Sequence, residues 1–399
     1  MRHPFPPIMS PDNAEEPKNP VREPLAFDPF FGKALALSEN MLPSANNIEL
    51  LTQLTSTAAA HQAFVQHRLR RKAASKFDRA PSMLFETEAL EQSSGQTAAS
   101  YHARLFPVGA QVVDLTVGIG GDLLSLCQRG PTTGFELDRL RFEIAEYNLR
   151  ATGSVAKLQN QDGMAWLRRA NAAFVFADPA RRTAGRKITD PNLFQPDPIA
   201  IAELGQRQRL CVIKLSPLLD DAYLHRIAPR LEFLSVEGEC KEVLAICGTD
   251  AIPGRFAILV GPDLCVPAHA VPNSVSEAQE FVYDCDPALV RAHALGSICY
   301  QANLSPLGDS NGYLTGSARI ESPWLKTYRV LYQGPGDLKA TRQSLFQLDS
   351  ETPVIKQRRT GLDLIEMRAS FKLKGTRPLL LICYPLERSI RHIVAELLQ

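Results

Sequence analysis

The sequence predicts an α/β fold, a largely parallel sheet with helices packed against it. Three observations predict it. Apolar runs that end in acids recur at Val112-Val113-Asp114, Gly134-Phe135-Glu136 and Phe174-Val175-Phe176-Ala177-Asp178. Helical patterns separate these runs, and such alternation implies right-handed parallel crossovers. The first run opens through Leu115-Thr116-Val117 onto a glycine turn, Gly118-Ile119-Gly120-Gly121, before a helical pattern begins. Glycine lets the backbone turn tightly and approach a ligand closely, because it has no Cβ.

Composition limits the alternatives. With 399 residues, 45% hydrophobic and 22% charged, the chain reads as a soluble protein of two or three domains. A net charge of +1 provides no global field for nucleic acid, so any basic surface must be local. No apolar run approaches the ~18 residues of a membrane span. The eight cysteines, at 127, 211, 240, 247, 265, 285, 299 and 383, form no C-x-x-C pair. Neither a zinc site nor a disulfide framework is expected, which suits a cytoplasmic protein without metal. His102 and His225 fall in helical stretches and read as surface or core residues. The oligomeric state is not legible.

The elements follow in order. Residues 1–24 are proline-rich and lack the apolar core of a signal peptide, so a flexible tail is expected. Residues 25–105 read as a helical domain. Leu50, Leu51, Leu54, Ala58, His61, Phe64 and Val65 fall near a 3–4 spacing, and a helix over 96–105 leads into the first strand. Within it runs a basic series, Arg68, Arg70, Arg71, Lys72, Lys76 and Arg79. Its plain reading is a solvated helix face. Its functional reading is a phosphate-contacting face beside the pocket.

Residues 106–265 carry the α/β core. Its later strands are expected at Leu210–Pro217, Leu231–Val236 and Val243–Cys247, closed by Phe256–Val260. The turn Glu237–Glu242 reads as a solvated loop or as the pocket mouth. Residues 266–322 connect to a compact α/β module over 323–399, with Asp286 a helix N-cap and Pro287 in the first turn. In that module strands are expected at Tyr328–Tyr332, Val354–Arg358 and Leu379–Cys383, and a last helix over 388–398. The module holds 13 Lys/Arg against 7 Asp/Glu. That asymmetry hints at nucleic-acid contact, centred on Lys356, Arg358 and Arg359, with Lys372, Lys374 and Arg377 adding to it.

The glycine corner suits an adenosine-containing cofactor. The dinucleotide fingerprint needs a third glycine at position six, and that place is Leu123. Asp114 at the strand end suits a cationic ligand group and repels a pyrophosphate. Glu136, closing the second strand, can accept both ribose hydroxyls. Asp162 follows a third, weak strand, and Asp178-Pro179 closes the fourth.

Over residues 105–250 this series resembles the class I S-adenosylmethionine-dependent methyltransferases. The resemblance implies a Rossmann-like seven-stranded sheet and S-adenosyl-L-methionine as cofactor. It assigns Asp114, Thr116, Gly118, Gly120 and Gly121 to the methionine end, Glu136 to the ribose and Asp162 to the adenine. Asp178 and Pro179 would stand where the methyl acceptor is held. The tail and residues 84–106 resemble, more loosely, a bacterial subgroup with a C-terminal THUMP-like domain preceded by a small ferredoxin-like piece. That likeness implies RNA as substrate.

Methyl transfer needs alignment of acceptor, methyl and sulfur, together with an available acceptor lone pair. Enzymes acting on exocyclic amines carry an Asp/Asn-Pro-Pro-aromatic motif, in which the acid side chain and the proline carbonyl accept the amine hydrogens. Here the motif reads Asp178-Pro179-Ala180-Arg181. Arg181 can stack on a base or, with Arg182, clamp a phosphate. Lys214, at the end of the next strand, is expected to contact substrate phosphate or base, its plain reading being a solvated lysine. The leading reading is an RNA methyltransferase favouring a nucleobase nitrogen, with Arg358 and Arg359 on the RNA. The alternatives are a methyltransferase for a small molecule or protein, an inactive RNA-binding or assembly protein on the same fold, and, more distantly, a dehydrogenase.

Overall fold

The computed structural model describes residues 28–180, 182–183, 186–187 and 190–398, with the backbone alone at 182, 183, 186, 187 and 192. The 1–24 segment and Arg181 lie outside the described residues. Among the described residues no helix is long and apolar enough to cross a membrane.

The N-terminal part is helical, with α1 (Phe31–Leu37), α2 (Ala45–Leu54), α3 (Thr57–Ala73), α4 (Thr87–Gln92) and α5 (Gln96–Arg104). Ser44 and Ser56 start α2 and α3 by accepting the amides of Asn47 and Ala59. Ala59, Ala60 and Ala63 give α3 a small-residue face on which Ala34 of α1 and Leu51 of α2 pack.

The core comprises β1 (Val112–Asp114), α6 (Gly121–Cys127), β2 (Thr132–Phe135), α7 (Arg139–Thr152), β3 (Lys157–Gln159), α8 (Gly163–Leu167) and β4 (Phe174–Ala177). A short hairpin follows, β5 (Arg182–Thr183) and β6 (Arg186–Lys187). Then come α9 (Pro198–Gly205), β7 (Leu210–Leu215), α10 (Asp221–Ile227), β8 (Arg230–Val236), β9 (Glu239–Cys247), β10 (Gly254–Leu259) and β11 (Leu264–Pro267). The sheet order is β11-β10-β8-β9-β7-β4-β1-β2-β3. Strand β9 runs antiparallel to β7 and β8, β11 runs antiparallel to β10, and the other pairs are parallel. Nine strands therefore replace the expected seven. The interior of β8 is buried on both faces, so its outer edge demands a pairing partner, and β10 supplies it.

The rest of the chain forms a second sheet. Its elements are β12 (Phe281–Cys285), α11 (Pro287–Arg291), α12 (Leu295–Ala302), β13 (Ser305–Pro306), β14 (Tyr313–Gly316), β15 (Leu325–Pro335) and α13 (Leu338–Gln347), then β16 (Val354–Gln357), α14 (Leu364–Phe371), β17 (Leu380–Leu386) and β18 (Ser389–Leu397). The order is β13-β14-β12-β15-β18-β17-β16. Strands from 266–322 and from 323–399 thus share one sheet.

The helix expected over 388–398 is a strand. β18 is central, between β15 and β17, and its middle residues His392, Ile393, Val394 and Ala395 are buried on both faces. Burial on both faces erases the alternation that marks a strand in sequence. The turn before it places Glu387 at φ 52°, with no glycine to announce it.

One lock joins the two sheets. The guanidinium groups of Arg255 and Arg291 lie over the Phe233 ring at 4.7 and 5.3 Å, and both meet Asp221. Arg291 also donates to the carbonyls of Pro217 and Leu219, fixing the loop that follows β7.

Candidate functional site

A cavity of about 730 Å³ opens where β1, β2 and β4 end. It lies outside the carboxyl ends of parallel strands, the place where open α/β sheets bind ligands. The glycine turn forms its floor. Gly118 and Gly120 have φ of 58° and 95°, left-handed values that favour glycine, and Gly120 starts α6. At Gly121 the constraint is space, since a Cβ there would come within 3.3 Å of the Ser94 carbonyl oxygen.

Of the cofactor series, Thr116, Gly118, Gly121, Glu136, Asp162 and Asp178 line the cavity, whereas Asp114 and Gly120 do not. Glu136 lines the cavity. Its Oε2 accepts the Gly118 amide at 2.7 Å and its Oε1 the Asp138 amide at 2.8 Å. Burial raises its pKa, while those amides oppose the rise. Each oxygen keeps a second lone pair for a sugar hydroxyl. Asp162 lines the same cavity and caps α8 by accepting the Met164 amide at 2.8 Å. Thr116, Gly118, Gly121, Asp178 and Pro179 complete the wall. A hydroxylated, adenosine-like group fits this set of acceptors.

Asp114 departs from its expected direct contact with the cofactor. Its side chain is turned beneath the loop, where Oδ1 accepts the Thr116 amide at 3.0 Å and Oδ2 is buried without a partner. Burial pushes its pKa well above the carboxylate range. Asp114 acts on the site through the loop it holds.

Asp178 is positioned from two sides. Its amide donates to Thr116 Oγ1 at 2.6 Å, and its Oδ2 lies 2.5 Å from Lys214 Nζ. The next segment is fixed by paired backbone bonds between Ala180 and Gln195. Lys214 is the main correction. It neither reaches into the cavity nor faces solvent, since its side chain is only 6% exposed. The register of β7 turns it inward, where Asp178 and Ser94 engage its ammonium.

Sequence reading missed what stands behind Lys214. Lys214 Nζ donates to Ser94 Oγ at 2.9 Å, and Ser94 Oγ donates to Asp122 Oδ2 at 3.0 Å. Asp122 Oδ1 and Glu242 Oε1 flank the His102 ring at 2.7 and 2.6 Å from Nδ1 and Nε2. His102 is fully buried and stacks on Phe176. Burial alone would lower its pKa, but Glu242 and Asp122 outweigh it and raise the imidazole to about 10. Glu242 therefore belongs to this buried network, and not to the solvated turn expected over 237–242. Among the described residues, no group of three or more His, Cys, Asp or Glu is placed to hold a metal ion.

The N-terminal helices roof the cavity with Ala89, Gln92 and Ser93. Two cations of the basic series hold this region from within. Lys76 Nζ donates to the carbonyls of Leu90, Glu91 and Ser93, and Arg70 Nε donates to that of Met83. Asn148, buried on α7, exchanges bonds with both backbone groups of Leu84 and donates to the Ile119 carbonyl. It ties the roof to the glycine turn.

The basic centre of the C-terminal module is largely occupied. Lys356 and Arg358 both pair with Asp284, at 2.8 and 2.7 Å, and Arg377 pairs with Glu396. Arg358 is thus corrected from a free RNA contact to an internal one. Arg359 is exposed. The side chain of Arg182, like Arg181, lies outside the described residues.

No protein-family profile matches the chain. It is 29% identical over 340 residues, 82% of its length and 93% of theirs, to proteins of two Mycobacterium tuberculosis strains, CDC 1551 and H37Rv. Both are named uncharacterized S-adenosylmethionine-dependent methyltransferases. The crystal structure of a candidate methyltransferase from Porphyromonas gingivalis W83 superposes with a TM-score of 0.77 at 21% identity. That match covers 92% of this chain and 98% of the other. The class that fold and site define is therefore a methyltransferase-like α/β protein.

Proposed function

We propose that this protein is an S-adenosylmethionine-dependent methyltransferase acting on an amine nitrogen, a nucleobase in RNA being the favoured acceptor. The observation that carries the reading is the placement of Asp178-Pro179 on the wall of the same cavity as Glu136 and Asp162. Cofactor-holding and acceptor-holding groups thus face one space.

When bound, the cofactor supplies an electrophilic methyl group. Glu136 would accept the ribose hydroxyls, Asp162 would face the adenine, and the glycine turn would admit the methionine end. Asp178 accepts an N–H of the acceptor amine, which orients the nitrogen lone pair. Arg181 and Arg182 follow directly in sequence and are assigned to the substrate's base or phosphate. The C-terminal module is assigned to RNA as a THUMP-like domain, with Arg359, Lys372 and Lys374 as its contacts.

A second reading, a small-molecule or protein acceptor, is favoured by the pairing of Lys356 and Arg358 with Asp284. Titration calorimetry with S-adenosylhomocysteine and with NAD tests the cofactor. Micromolar binding of the first, roughly −8 kcal/mol, and none of the second is expected. Mass spectrometry of RNA nucleosides from cells with and without the gene tests the acceptor, and an unchanged nucleoside profile would favour the second reading.

A further inference from the structure

We propose that Lys214 is a positioning residue for methyl transfer: anchored by Ser94, Asp122, His102 and Glu242, its ammonium holds the Asp178 carboxylate as a hydrogen-bond acceptor for the substrate amine. This inference rests on the acceptor role given to Asp178 above.

The bonds form one chain. Asp178 Oδ2 meets Lys214 Nζ at 2.5 Å, Lys214 reaches Ser94, and Ser94 reaches Asp122. His102 then bridges Asp122 to Glu242, whose Oε2 lies 4.0 Å from Lys214 Nζ. Three carboxylates and two cations alternate, and each cation stands between carboxylates. Lys214 is absent from the cavity wall, whereas Asp178 forms part of it. Lys214 therefore acts on the reaction through the groups it binds, and of those on the cavity wall Asp178 is the one it meets directly, Asp122 being reached through Ser94.

The groups facing Asp178 decide its protonation. They are Lys214 on β7, Asp122 on α6, Glu242 on β9 and Asp114 on β1. His102 on α5 stands behind Asp122 and Glu242, and Lys76 beyond α3 faces Lys214. Burial, Asp122 and Glu242 all push a proton onto Asp178, and Lys214 pushes it off. Without Lys214 the leading remaining influences, burial, Asp122 and Glu242, favour the neutral acid. A protonated carboxyl donates where it formerly accepted. An amine that needs an acceptor for its N–H would then meet a competing donor.

The full-length protein tests this with Lys214→Met, Lys214→Arg and Asp178→Asn. Carbon-13 labelling of aspartate reports ionisation, and the Asp178 carboxyl resonance is assigned by its loss in Asp178→Asn. In the unsubstituted protein the resonance should be that of a carboxylate at pH 7. In Lys214→Met it should be that of the neutral acid, and Lys214→Arg should restore the carboxylate. Affinity for S-adenosylhomocysteine should stay within about 3-fold in all three. Methyl transfer to RNA from cells lacking the gene should fall ~10²-fold in Lys214→Met at pH 7 and recover as pH rises through the new Asp178 pKa.

An ionised Asp178 at pH 7 in folded Lys214→Met overturns the proposal. So does a neutral Asp178 in the unsubstituted protein, a measurement that stands even if Lys214→Met does not fold. Failure to bind S-adenosylhomocysteine at all would sink the methyltransferase reading instead, leaving the ionisation result to stand by itself.

Discussion

Replacing His102 with glutamine probes the network at its most buried point. The ring is fully buried, with both nitrogens bonded to carboxylates at 2.7 and 2.6 Å. Glutamine can donate to one carboxylate but carries no charge, and its carbonyl oxygen would confront the other. Removing one partner from a buried ion pair costs about 3–5 kcal/mol. In a folding unit of the size of residues 106–265 that corresponds to a melting point lower by roughly 10 °C.

The pH dependence has a definite sign. The folded-state pKa of His102 is raised to about 10, above its ordinary value. Its contribution is therefore complete below pH ~6.5, declines above that, and is lost as pH rises through about 10. Asp122 and Glu242 have lowered pKa values despite their burial, chiefly because of His102. Their contribution is present above the ordinary carboxylate range and is lost as pH falls through their folded values. The stability gap between the unsubstituted protein and His102→Gln should thus be widest between about pH 4.5 and 6.5 and close toward pH 10. Thermal melts at pH 5, 7, 9 and 10 measure it. A gap below about 1 kcal/mol, or one constant from pH 5 to 10, would refute a charged imidazole.

Other expectations are simpler. Glu136→Ala should weaken S-adenosylhomocysteine binding by about 1–3 kcal/mol in calorimetry, since ligand hydroxyls lose their acceptor. Asp178→Asn should keep that affinity within a few-fold while methyl transfer to RNA falls ~10²-fold, separating acceptor positioning from cofactor binding. Asn148→Ala should destabilise the protein by about 2–4 kcal/mol and speed hydrogen exchange at the Leu84 amide, because three buried bonds are lost. Arg358→Ala should lower stability by about 3 kcal/mol by leaving Asp284 under-paired. Arg359→Ala should change stability by less than about 0.5 kcal/mol and, if RNA binds there, reduce the salt slope of binding by about one contact.

That Glu136, Asp162 and Asp178 share one cavity wall was legible because the signals are local. The glycine turn, Glu136, Asp162 and Asp178 each follow a strand within a few residues, so the order of strands orders the site. The network behind it was not legible. His102 meets Glu242 across 140 positions and Lys214 meets Ser94 across 120, distances over which no periodicity speaks. Lys214 looked like a substrate contact because a strand end is where such contacts occur, and only the register turns it inward. The charge asymmetry of the C-terminal module concealed the internal pairing of Lys356 and Arg358 for the same reason. Asp284, which pairs with Lys356 and Arg358, lies more than 70 positions upstream, in the segment read as a connector. A net charge counts residues without regard to their partners.

The composite wall of the cavity has a thermodynamic corollary. Ala89, Gln92 and Ser93 belong to the helical N-terminal part, while Glu136 and Asp162 belong to the sheet. Any ligand seated between them touches both parts at once, so its binding free energy adds to the packing of Ala89 and Leu90 against Val117, Ile119 and Ile144 that already joins them. At a hundred times its dissociation constant such a ligand adds about 2.7 kcal/mol to the assembled form. Fraying of the helical cap and vacancy of the pocket then become one equilibrium. Protease sensitivity around residues 84–95 would serve as a gauge of cofactor occupancy, readable without knowing the substrate.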